Sequence, residues 1–119
     1  MTTLMAQSFL TGQLNGWSYR GLLEARLTSE QFSLGTIVQP TTLTIPVPAI
    51  VMVKQIRNLL EFGIKIKYRH NDRERVVGFR TRRYRAWGHA FQHLGIRVEP
   101  PTGWLHDFDW PPLELLDTE

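Results

Sequence analysis

The sequence predicts a mainly β domain closed by one C-terminal amphipathic helix and followed by an acidic, Pro/Trp-rich tail. Three observations carry this. Apolar residues alternate with polar ones through several short segments separated by turn residues, the mark of half-buried strands. The spacing then changes to three and four at Tyr84, Trp87, Phe91 and Leu94, which with Ala90 makes one apolar stripe on a helix. Beyond residue 98 the chain carries Pro100-Pro101 and Pro111-Pro112, two tryptophans, and no lysine or arginine.

Residues 1–15 are mixed and polar and read as an N-terminal arm, either loose or forming a first short strand. From Gly16 the pattern is β-like: GWSYRGLLEARLT, a turn near Thr28-Ser29-Glu30, then QFSLGTIV. Thr41 to Ile45 is rich in β-branched residues and ends at Pro46, with Pro48 close behind. Prolines so spaced cannot donate to a central ladder, which places this segment at a strand end or a sheet edge. AIVMVKQIRN then reads as a buried strand.

The clearest hairpin follows. In FGIKIKYR, Phe62, Ile64, Ile66 and Tyr68 alternate with Gly63, Lys65, Lys67 and Arg69, and His70-Asn71-Asp72 supplies turn residues. The return strand RERVVGFRT sets Val77 and Phe79 on one face and Val76, Gly78 and Arg80 on the other. Alternation therefore predicts that Lys65, Lys67 and Arg69 share an outward face. Thr81 is placed to cap the helix, expected over about residues 81–94. Gly95 and Ile96 suit a Schellman ending. Gly88 within the helix costs about 1 kcal/mol relative to alanine unless close packing requires it.

This order of elements resembles the bacterial pleckstrin-homology-like (PH-like) barrel domains across about residues 16–98. The matching features are the hairpin LLEARLTSEQFSL, the segment IPVPAI leading into VMVKQI, the hairpin GIKIKYRHNDRERVVGF and the terminal helix RYRAWGHAFQHLGI. Ile45-Pro46 stands before Ile50 as an Ile-Pro pair commonly precedes the fourth strand of that family. The resemblance implies a partly open barrel of about seven antiparallel strands, six of them readable here, with the helix plugging one end. It implies a binding or scaffolding role and not an enzymatic one, and it names no ligand. Lipid-binding members carry basic residues around the first hairpin loop. Here that loop is Leu27-Thr28-Ser29-Glu30-Gln31, with Glu30 at its tip.

A chain of 119 residues suits one domain with one core. The domain is expected over 16–98 and the tail over 99–119. The absence of cysteine removes a thiol nucleophile and a cysteine-based zinc site, and fits a reducing cytoplasm. No apolar run reaches the ~18 residues of a spanning helix, and MTTLMAQSFLTG lacks the features of a secretory signal. A cytoplasmic location is the expectation.

The net charge of +3 hides an asymmetry. Nine of the fourteen lysines and arginines lie between Lys65 and Trp87: Lys65, Lys67, Arg69, Arg73, Arg75, Arg80, Arg82, Arg83 and Arg85, against Asp72 and Glu74. Six acids and no base lie between Glu99 and Glu119. The nine cations are the candidate contacts for an anionic partner, such as nucleic acid or a lipid head group, because seven are arginines whose planar forks suit phosphate. The plain alternative is a solvated face that discourages edge pairing. Tyr68 and Tyr84 fall on inward positions, which argues against a base-stacking platform. Trp104, Phe108 and Trp110 are the candidates for docking the tail on the domain or for contacting a partner protein. A second copy of the chain remains open as a partner. No cofactor is called for. His89 and His93 stand four apart on the helix without a companion ligand, and no Walker, G-x-G-x-x-G or G-x-S-x-G pattern occurs. The chain therefore reads as a non-enzymatic binding module.

Overall fold

The computed structural model of the protein describes residues 2–14, 17–36, 43–57, 62–101 and 116–118, with side chains described over 2–8, 24–35, 43–57 and 62–101. The described strands form two sheets. The first contains β1 (Thr3–Leu14), β2 (Trp17–Thr28), β3 (Gln31–Thr36) and β4 (Leu43–Pro46), each antiparallel to the next, with β9 (Leu116–Thr118) beside β1. The second contains β5 (Ile50–Arg57), β6 (Phe62–His70) and β7 (Arg73–Arg80), again antiparallel, with the two-residue β8 (Val98–Glu99) parallel to β5. The sheets are separate among the described residues. The helix α1 (Tyr84–His93) lies between β7 and β8 in the chain.

Local chemistry sets most of these boundaries. Thr28 ends β2 by accepting the backbone N–H groups of Glu30 and Gln31 on its hydroxyl, which fixes the first hairpin turn. β4 is an edge strand, as its prolines require, and Pro46 passes into a 3-10 turn over Val47–Ala49 that turns the corner into the second sheet. Asn71 and Asp72 have φ of 51° and 62° between the paired residues His70 and Arg73. Two consecutive positive φ values mark the primed two-residue turn whose twist matches an antiparallel hairpin, and short polar side chains tolerate it best.

Residues 3–14 pair along β2, so this segment is a strand of twelve residues. It supplies the seventh strand that the sequence left uncounted. β8 and β9 were not anticipated. In β9 the backbone of Leu116 and Thr118 registers with Gly12 and Phe9. Trp104, Phe108 and Trp110 lie outside the described residues.

The core sits between the facing sides of the two sheets. Register aligns Met5, Leu27, Phe32 and Ile45 across the first sheet, and Val53, Ile66 and Val77 across the second. All belong to one buried cluster. At its centre four rings meet. Phe32 of β3 stacks on Phe79 of β7 with centroids 5.9 Å apart, and Trp87 stands edge-on to both at 6.0 and 5.2 Å. Phe91 completes the group at 6.1 Å from Phe32 and 6.2 Å from Trp87. Tyr84, Trp87, Gly88 and Phe91 form the buried side of α1, with Ala90 and Leu94 packed against the cluster, so the predicted stripe is the helix's core face.

The helix begins three residues later than the sequence suggested. Arg83 takes the N-cap position, and Thr81 stands two residues before it. Its hydroxyl accepts the Arg83 N–H at 3.0 Å and donates to Gln7 Oε1 at 2.7 Å. The fully buried Thr81 thus accepts from the N-cap residue and not from the first turn of the helix. The same Gln7 oxygen accepts the Trp87 indole N–H at 2.8 Å. At the other end, Gly95 has φ of 79°, and the N–H groups of Gly95 and Ile96 reach the carbonyls of Gln92 and Phe91, the Schellman pattern. Gly88 has a packing reason: a Cβ there would collide with the Gln55 side chain of β5, which donates to the Tyr84 carbonyl at 3.2 Å.

Two outcomes follow for stability. Trp87→Ala is expected to cost about 3–5 kcal/mol in denaturant unfolding, the range for truncating a buried large aromatic. Gln7→Leu keeps the volume but strands the Trp87 and Thr81 donors in the core. At about 1–3 kcal/mol for each unsatisfied group, it should lower stability by at least about 2 kcal/mol in the same measurement.

Candidate anion-binding surface

The nine predicted cations do not form one surface. They divide into three groups, and register decides the division. Lys65, Lys67 and Arg69 do share a face, opposite Gly78, Val76 and Glu74. That face is not uniformly outward, which corrects the sequence reading. Lys65 is only 1 % exposed, and Lys54, its partner on β5, only 3 %. Lys54 donates its ammonium to the Pro100 carbonyl at 2.8 Å, and both lysines are engaged within the molecule. Alternation reports which side of a strand a residue takes, whereas cover comes from elsewhere in the chain. Lys67 is half-buried and faces Glu74 at 3.9 Å. None of this group except Arg69 is presented to a partner.

Arg73 and Arg75 form the second group, exposed at the hairpin tip beside Arg69 and His70 and interspersed with Asp72 and Glu74. Arg75 pairs in register with Tyr68, so it continues the core-facing side of β7 past the point where the core ends.

The third group lies at the opposite end of β7, about 23 Å away at ~3.3 Å per residue. Three chain segments converge there. Arg57 ends β5 opposite Phe62, which opens β6, and Gly63 pairs with Arg80 at the end of β7. The Thr81 N–H donates to the Phe62 carbonyl at 3.1 Å, which brings residues 81–85 over the same corner. Arg57 donates from Nη1 to the Tyr84 hydroxyl at 3.2 Å. The Arg85 guanidinium lies 5.6 Å from the Tyr84 ring centroid, and that of Arg82 lies 5.8 Å from the Phe62 centroid. Arg83 is exposed beside them.

Four arginines, Arg57, Arg82, Arg83 and Arg85, thus occupy one corner braced by two rings. The ion pairs among the described residues are Arg26–Glu24, Lys67–Glu74 and Arg97–Glu99, and none of them is here. Arg80 pairs with Gly63 and so takes the other face of the sheet from Arg57 and Phe62; it is half-buried, and its Nε is a buried donor with no acceptor among the described residues. A guanidinium held over a ring offers its in-plane N–H edges outward, the geometry that receives an oxyanion fork-to-fork. Chemically this corner can bind anions.

Sequence reasoning found three of these four and grouped Arg80 with them. It missed Arg57, which lies outside the basic stretch. The signal was present in the hairpin it begins, since pairing the end of AIVMVKQIR with the start of FGIKIKYR sets Arg57 against Phe62. His89 and His93 are exposed on the far side of the helix, and no group of three or more metal-ligating side chains occurs among the described residues.

No family model, curated protein or solved structure matches this chain.

The hairpin tip carries a measurable electrostatic signature. Burial raises the pKa of Tyr68 above the ordinary tyrosine value, and the positive charge of Arg75 opposes the shift. The unfolded chain therefore releases this proton first as pH rises through about 10, and stability falls from there up to the folded-state pKa. Arg75→Gln should move the Tyr68 titration further upward in a spectrophotometric phenolate titration, and Tyr68→Phe should abolish its part of the alkaline loss of stability.

Proposed function

We propose that the protein is a non-enzymatic binding module of PH-like architecture, and that its working surface is the arginine corner where α1 meets β5, β6 and β7. The architectural part is supported by the element order: seven strands precede a helix whose apolar stripe packs between two sheets. The single observation that carries the functional part is the convergence of Arg57, Arg82, Arg83 and Arg85 with no described carboxylate paired to any of them. Core-directed burial does not require such a cluster, since like charges at one corner repel. An anionic partner accounts for it. The lipid route of the PH-like relatives, through the first hairpin loop, has little support, because Glu30 stands exposed there and Arg26 is paired with Glu24.

The proposal separates the corner from the hairpin tip. Replacing Arg57, Arg82, Arg83 and Arg85 together with glutamine should weaken binding to a sulfated polysaccharide by tenfold or more, about 1.4 kcal/mol, in isothermal titration at low salt. Replacing Arg69, Arg73 and Arg75 should change it by no more than about twofold. Equal effects from the two sets would show that net charge alone attracts the polyanion and that the corner is not a site.

A further inference from the structure

Resting on that reading of the corner, we infer that its partner is nucleic acid, held through the phosphodiester backbone without readout of the bases. The first argument is the donor type. All four cations of the corner are exposed arginines, and a guanidinium edge takes two phosphate oxygens at once where an ammonium acts as a point charge. The second is the unanswered charge: none of the ion pairs among the described residues involves any of these four arginines.

The rings decide against base readout. Phe62 and Tyr84 are the aromatic side chains of the corner, and each carries an arginine over it. Tyr84 is buried, and its hydroxyl already accepts from Arg57. No described ring is therefore open to stack a base, and the contact is left to charge and phosphate geometry. A strand of nucleic acid supplies one charge about every 3.4 Å whatever its sequence, which suits a cluster that no described carboxylate pairs.

A membrane surface fits less well. Among the described residues Val51 is the one large apolar side chain that is exposed. It lies six residues from Arg57 along β5, about 20 Å away. Among the described residues the corner thus has no exposed apolar anchor beside its charges. An acidic protein could satisfy the arginines only by presenting several carboxylates at matching positions, a condition that nucleic acid meets at every nucleotide.

The expected salt dependence follows from the count. If up to four phosphates are neutralised at about 0.7 released counterions each for a single strand, the logarithm of affinity should fall against the logarithm of salt with a slope of about −2.8. Between about 50 and 200 mM salt this is a loss of about fiftyfold. The test is fluorescence anisotropy of the whole chain with labelled oligonucleotides of different sequence across that salt range. Polyglutamate and phosphatidylserine vesicles serve as competitors. Expected are affinities equal within about threefold across sequences, the slope stated, and a reduction of the slope by about 2 in the variant carrying Gln at 82, 83 and 85. Lysine at the same three positions should restore the slope, which distinguishes lost charge from lost folding.

Oligonucleotide binding whose slope is unmoved by the glutamine variant would overturn the inference. So would displacement by polyglutamate or vesicles at lower charge concentration than by unlabelled oligonucleotide. In that case the binding-module reading survives with a different partner. Absence of binding to every one of these anions at low salt would remove both.

Discussion

A single buried indole sets the terms for the rest of the molecule. Trp87 brings its large apolar area to the junction of the two sheets, but it also brings an N–H that must find an acceptor there. Gln7 provides it from β1, eighty residues away in the chain, and the same oxygen takes the Thr81 hydroxyl. One carboxamide therefore ties together the first strand, the segment leaving the last long strand, and the helix. Because a buried polar group left unpaired costs more than a paired one contributes, this three-way junction has few alternative geometries. The Phe32, Phe79 and Phe91 rings then close around the indole and fix the helix against both sheets.

The surface inherits its arrangement from that core. With Thr81 anchored to Gln7, residues 82 and 83 have little freedom except to pass over Phe62, and Tyr84 must turn inward. Arg82, Arg83 and Arg85 are consequently delivered to the corner where Arg57 already stands. Rings hold two of these arginines and a hydroxyl engages a third, so part of their rotamer freedom is spent in folding and need not be lost again on binding.

The lysines show the opposite use of charge. Lys54 and Lys65 face one another across β5 and β6 at positions from which water is almost excluded. Long aliphatic stems let such side chains cover apolar surface, and their ammonium groups are satisfied inside the molecule, Lys54 by the Pro100 carbonyl at the edge strand β8. A positive residue here is part of the architecture of the second sheet. The basic stretch of the sequence thus contains two different kinds of cation that composition cannot separate.

What the sequence determined by itself was whatever depends on neighbours within a turn or a strand. Alternation identified β6 and β7, the three-four spacing identified α1, Pro46 and Pro48 marked an edge, and Gly95 with Ile96 marked the helix end. Each of these is a local rule of backbone geometry. Tertiary structure decided what depends on contacts between distant segments. It made a twelve-residue strand of the polar N-terminal residues, because β2 offered them a ladder. It set Thr81 two residues ahead of the helix N-cap, where its hydroxyl donates to Gln7 and accepts from Arg83. It buried Lys65 on a face that alternation assigns outward, and it joined Arg57 to the arginines of the helix start across a hairpin. Faces are written in the period of the chain, but exposure is a property of what packs on them.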